Sequence, residues 1–162
     1  MTFLPKDYKV PTNSNYFKFI EGKNKFRVLS DAVTGWEYWN TSDKPVRQEE
    51  PFEDRPEDIK TDNKGQFRIN PFWAFIVWNY EAKRVQIMQL TQKSIMKDIK
   101  NYIDEPDWGD PRGYDFVVTR SGSGLETKFQ TIATPHTKFS EKVDIGKIDL
   151  SKLFNGEDPF KQ

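Results

Sequence analysis

FWAFIVW, residues 72–78, decides the fold. Seven apolar residues stand in a row between Pro71 and Asn79. The run is too short for a buried helix and apolar at odd and even positions alike, so it reads as a central strand covered on both faces. NYEAK (79–83) is a turn that leads into RVQIMQL (84–90), an alternating partner strand. On the N-terminal side, YFKFI (16–20), EGKN (21–24) and KFRVL (25–29) carry the signature of a hairpin. Gly35 then opens WEYW (36–39), a short strand with Trp36 and Tyr38 on one face and Trp39 on the other. Residues 41–66 hold three prolines and little apolar periodicity, which predicts a long loop.

Downstream of the paired strands the period changes. Ile95, Met96, Ile99, Tyr102 and Ile103 recur at helical spacing, with Thr91 placed to cap the helix and Pro106 to end it. The acidic connector EPDWGDP (105–111) leads to a second hairpin, residues 114–120 and 126–133 around SGSG (121–124), and a short helical segment is expected near 148–154. Six to eight short strands with one helix after the fourth or fifth predict a mainly β protein. The specific expectation is an OB-fold-like five-stranded Greek-key barrel with one main α-helix and long loops. Residues 1–15 are assigned to an N-terminal arm, 16–140 to the OB-like domain and 141–162 to a C-terminal tail.

The chain has 162 residues, enough for one domain with a real core. Thirteen Phe, six Tyr and five Trp make that core aromatic, and Phe17, Phe19, Phe26, Phe72 and Phe75 are assigned to it. No cysteine is present, which excludes disulfides and thiolate metal sites, and with one histidine, His136, no metal or cofactor is expected. No membrane span is expected, and the opening MTFLPKDYKV has no signal-peptide pattern, so the expected location is cytoplasmic. The formal net charge of zero hides an uneven distribution. Residues 41–62 carry eight acids against four bases and 104–110 carry four acids and no base, whereas 63–103 carry seven bases against two acids. A basic centre opposed by acidic loops is one reading, ordinary solvated loops the other.

No phosphate-cradling glycine loop, cysteine nucleophile or compact carboxylate cluster stands out, so an enzyme is not expected. Basic and aromatic residues instead alternate closely, as in Tyr16–Lys18, Lys25–Phe26–Arg27, Phe67–Arg68 and Phe116–Arg120. Single-stranded nucleic acid is bound by that pairing: cations follow the phosphates, and flat rings stack on the bases. On a strand Lys25 and Arg27 share one face, expected to line a groove, and Phe26 and Val28 share the other, expected to face the core. Trp36, Tyr38 and Trp39 are three large aromatics within four residues, so at least one must point outward, with Lys44 and Arg47 close by. The same aromatics would also serve a protein-interaction or assembly module, or stack on sugars.

The segments FKFIEGKNKFRVLSDAVTGWEYW (17–39), KPVR (44–47), FWAFIVWNYEAKRVQIMQLTQKSI (72–95) and EPDWGDPRGYDFVVTRSGSGLET (105–127) resemble a group of small phage and prophage proteins. That group is similar in turn to the replicative, helix-destabilising single-stranded-DNA-binding proteins of tailed phages, which have an OB-fold. The resemblance implies single-stranded DNA as the partner, in phage replication or recombination in the host cytoplasm. It would place DNA on the Arg27, Trp36–Trp39, Lys44–Arg47 and Trp73–Trp78 region; together with the alternation of bases and rings, the expected DNA-binding residues are Lys25, Arg27, Trp36, Tyr38, Trp39, Lys44, Arg47, Trp73, Trp78 and Arg120. The zinc site of some such proteins has no counterpart here. GEDPF (156–160) resembles the acidic tail closed by Pro-Phe with which many of these proteins dock partners. Glu157, Asp158, Pro159 and Phe160 would then bind phage replication or recombination proteins, although the chain has only two acids there and continues to Lys161 and Gln162.

Overall fold

The computed structural model describes residues 3–6, 8 and 14–161, so residues 1, 2, 7 and 9–13 of the expected arm lie outside the described residues. Seven strands form one antiparallel sheet: β1 (Gly22–Val28), β2 (Val33–Trp39), β3 (Pro45–Gln48), β4 (Asn70–Asn79), β5 (Arg84–Leu90), β6 (Asp115–Ser121) and β7 (Lys128–Ala133). Among the described residues one α-helix, α1 (Lys93–Asp104), follows β5, and short 3-10 turns occupy Pro111–Gly113, Gly124–Glu126 and Leu150–Asn155.

The strand opened by FWAFIVW is the hub. β4 pairs with β5 from Trp73 to Asn79, with β2 from Asn70 to Ala74, and with β1 from Val77 to Asn79. β1 and β2 thus form one long strand interrupted at residues 29–32, where the chain bulges away from β4. There the Ile76 N–H donates to the Ser30 hydroxyl (2.8 Å) and Leu29 N–H to the Ile76 carbonyl (2.8 Å), so buried backbone stays satisfied across the gap. β1 continues the sheet through β6 to β7, and β2 continues it through β3.

Both faces of β4 are covered, as its composition requires. Phe75 and Val77 lie in a cluster with Phe26, Met88, Leu90, Phe116 and the α1 residues Ile95, Met96 and Ile99. Phe72, Ala74 and Ile76 pack on the opposite side with Ile87, Leu150 and Leu153, flanked by Ile145, Ile148 and Phe160. The expected tail is therefore a layer of the same core. Its approach is close: a Cβ on Gly35 would overlap the Gln48 carbonyl and lie 2.8 Å from the Phe154 ring.

Four expectations need correction. No ladder joins β5, β3 and β7, so the sheet does not close into a five-stranded barrel. Residues 16–20 form no hairpin with 25–29, because β1 already has β6 and β4 on its edges. Asn24 instead clamps Ile20, accepting from its N–H (2.8 Å) and donating to its carbonyl (2.9 Å), while residues 15–17 bridge the outer edge of β5 at Ile87. The helix starts after Gln92, and Thr91 does not cap it. Finally, the 41–66 loop is tied down: it contains β3, and Ile59 is buried and bridged to Asn40. No helix among the described residues is long and apolar enough to cross a membrane.

Candidate functional site

The residues expected to bind DNA fall into three environments. Arg27 shares its strand face with Lys25 as alternation requires, but only 1% of its surface is exposed. Its Nε donates to Asp115 Oδ1 (2.6 Å), Nη1 to the Arg112 carbonyl (2.9 Å) and Nη2 to Thr137 Oγ1 (2.9 Å). A strap of residues 134–140 crosses this face, anchored by Thr137 N–H on the Gly113 carbonyl (3.0 Å), and puts the Phe139 ring against both Arg27 and Trp78. Asp115 also accepts from the Tyr80 hydroxyl (2.8 Å); burial and this carboxylate push the Tyr80 phenol up to about 12. Lys25 remains exposed at the margin, over the Tyr80 ring and 3.8 Å from Asp115. The expected groove on this face is filled.

Arg47 and Tyr38 are also turned to structural use. Arg47 Nε donates to buried Glu37 (2.8 Å), and its guanidinium lies over the Phe72 ring. Tyr38 is buried, stacked edge-on with Phe52, and its hydroxyl donates to Asp58 (2.8 Å). Burial first, and that hydrogen bond second, raise its phenol to about 12. Trp36 is half-buried and Lys44 exposed. Trp73 packs against the α1 cluster. At the chain's end Pro159 is fully buried and Phe160 meets Tyr16 edge-on, with the Pro159 carbonyl accepting from Asp149 N–H (2.9 Å). Of the GEDPF stretch, Gly156, Glu157 and Asp158 are exposed, whereas Pro159 and Phe160 are held against the sheet.

Trp39 is the aromatic that points out, 47% exposed, and it stands at one end of a track of hollows that share lining residues. A groove of about 770 Å³ is lined by Trp39, Lys60, Gln66, Phe67 and Arg68. Phe67, Arg68 and Asn70 also line a second hollow that runs to Thr91, Gln92 and Lys93 at the start of α1. Gln92 in turn lines a third with Lys18, Phe19, Arg120 and Phe129, in the gap between β5 and β7. Five cations, Lys18, Lys60, Arg68, Lys93 and Arg120, thus stand along three adjoining hollows whose one lining carboxylate is Asp62.

The loop geometry explains how the track is held. Asp62 Oδ1 accepts from Lys64 N–H (2.8 Å) and Gln66 N–H (2.9 Å), and Gly65 sits at φ 76°, a turn that reverses the chain. Lys60 N–H donates to the Trp39 carbonyl (2.8 Å), fixing the loop beside the strand end. Phe67 is 41% exposed, and the Arg55 guanidinium lies 4.8 Å from its ring centroid. At the far end Arg120 Nη1 donates to the Phe19 carbonyl (3.1 Å), and Phe19 packs on Phe129 (5.7 Å). Of the expected set, Trp39 and Arg120 lie on the track. Lys18, Lys60, Phe67, Arg68 and Lys93 were outside it. For Phe67 and Arg68, an aromatic–basic pair directly after an Asp-Asn-Lys-Gly turn is the signal that could have found them.

No family model, curated protein or solved structure matches the chain.

Proposed function

We propose that the chain binds single-stranded DNA with little sequence preference along this track, as a binding protein rather than a catalyst, in phage DNA replication or recombination. The observation that carries the reading is the pairing of two exposed rings, Trp39 and Phe67, with Lys60 and Arg68 in one open groove. Rings supply stacking surfaces that accept any base, at about 1–3 kcal/mol per base, while the cations follow the phosphates. An OB-like arrangement is part of the proposal. α1 packs against β7, and residues 17–19 bridge toward Phe129, so the unpaired gap between β5 and β7 is spanned by side chains rather than by a ladder.

Titration with oligo-dT at two salt concentrations tests it. Binding should quench tryptophan emission and weaken as salt rises, because each neutralised phosphate releases counterions. A flat signal at low salt sinks the proposal.

A further inference from the structure

Another hollow lies at the other end of α1. Ile99 and Ile103 of the helix, Trp73 and Phe75 of β4, and Val28 and Ala32 beside the interruption of the long strand enclose an apolar notch of about 340 Å³. Ile103, the last apolar residue of the helical stripe, is 40% exposed there, although the sequence places it on the core face. Lys93 and Ile103 are ten residues apart, about 15 Å along a helix, so the notch is separate from the basic track.

Its lining holds two carboxylates and one base, and the chain beside it is acidic. Arg112 spans two carboxylates, Asp31 and Asp110, and ties the interrupted strand to the Pro111–Gly113 turn. The chain joining Ile103 to Asp110 carries Asp104, Glu105, Asp107 and Asp110 and no base. Glu105 and Asp107 are exposed, and neither makes an ion pair among the described residues. Phosphates are repelled by such a rim, whereas lysine and arginine are drawn to it. The notch is at the small end of ligand pockets, a size for one large side chain rather than for a cofactor. Its walls belong to regular structure cross-tied by Arg112, so an incoming group meets a preformed surface.

We propose that this notch docks an extended segment of another protein, in which one large apolar side chain enters between Trp73 and Ile103 while flanking lysines or arginines meet Glu105 and Asp107 of the adjoining acidic connector and compete with Arg112 for Asp31 and Asp110. Apolar anchoring supplies the affinity, and the acidic rim selects the partner and keeps nucleic acid out.

The test uses the full chain, isotope-labelled, and three blocked pentapeptides: Lys-Lys-Trp-Lys-Lys, Glu-Glu-Trp-Glu-Glu and Lys-Lys-Ala-Lys-Lys. The first should shift the amide resonances of Ala32, Ile99, Ile103 and Arg112 in a saturable manner, and the other two should not. Ile103→Arg, at a half-exposed position where the fold tolerates it, should weaken that response at least tenfold while the remaining spectrum and oligo-dT binding stay unchanged. Asp110→Asn should weaken it less, and high salt should mimic that loss. No shift at these amides, an equal response to the glutamate peptide, or a response confined to the Trp39–Phe67 groove overturns the proposal. So do shifts of the same amides with protein concentration alone, which would make the notch a contact between copies of this chain.

Discussion

Two regions of this molecule look alike in composition and differ in what covers them. On the β1–β6 face, Arg27, Tyr80, Trp78 and Phe139 form a cation-and-aromatic cluster sealed by the strap of residues 134–140. On the track, Trp39, Phe67, Lys60 and Arg68 form a similar cluster with no strap over it. In the first, every donor of the cation that the geometry shows is spent on the protein itself. In the second, Arg68 makes no ion pair among the described residues, Lys60 pairs with Asp43 only at the exposed surface, and Trp39 and Phe67 are 47% and 41% exposed although Arg55 lies against the Phe67 ring. A cation beside an aromatic ring is thus a fold device or a binding device according to what crosses above it.

The broadest way to break the comparison is alkali. Tyr38, Tyr80 and Tyr114 have phenols raised to about 12, with burial the largest cause in each. A raised pKa means that the folded state favours the neutral phenol. Its contribution is complete below about pH 10 and is lost as pH climbs toward 12. Far-ultraviolet circular dichroism should show the sheet collapsing in that window, with the late rise in phenolate absorbance at 295 nm coinciding.

Arg27→Ala comes next. Removing one partner of a buried pair strands Asp115, and stability should fall by about 3–5 kcal/mol in urea unfolding. Oligo-dT affinity of the folded fraction should be unaffected. Trp39→Ala should reverse that pattern: melting nearly unchanged, and affinity lowered by about 1–3 kcal/mol, with Phe67→Ala similar. A stability loss at Trp39 as large as at Arg27 would erase the distinction between the regions. The smallest effect belongs to Arg68→Ala. The slope of log affinity against log salt should flatten by about 0.7, the value for one phosphate contact on a single strand.

The same contrast marks what could be read from sequence. The central strand, its partner 84–90, the helical stripe and the 114–133 hairpin are local patterns, and periodicity suffices for them. Strand-face alternation also placed Lys25 with Arg27 and Phe26 with Val28. What alternation cannot report is that residues 134–140, more than a hundred positions downstream, fold across Arg27. Tyr38 and Arg47 were hidden for the same reason: their partners Asp58 and Gln89 lie 20 and 42 residues away. Closure of the barrel is not legible, because strand count says nothing about whether the outermost edges meet. The track was half legible, since Trp39 had to face outward, but its other half depended on a turn at residues 62–66 that brings Phe67 beside it.

The covering of β4 by residues 145–160 also has a meaning in time. During synthesis, the face formed by Phe72, Ala74 and Ile76 exists some eighty residues before Leu153 and Phe160 arrive to cover it. β1 waits similarly for β6, since Phe26 pairs with Phe116. Such distant pairings close late and slowly, and the uncovered apolar face is an aggregation hazard meanwhile. A nascent chain of this protein therefore stays dependent on its surroundings until residues 150–160 have been made. Ending it at residue 148 should send it to the insoluble fraction, although the strands that carry Trp39 and Phe67 would all have been made.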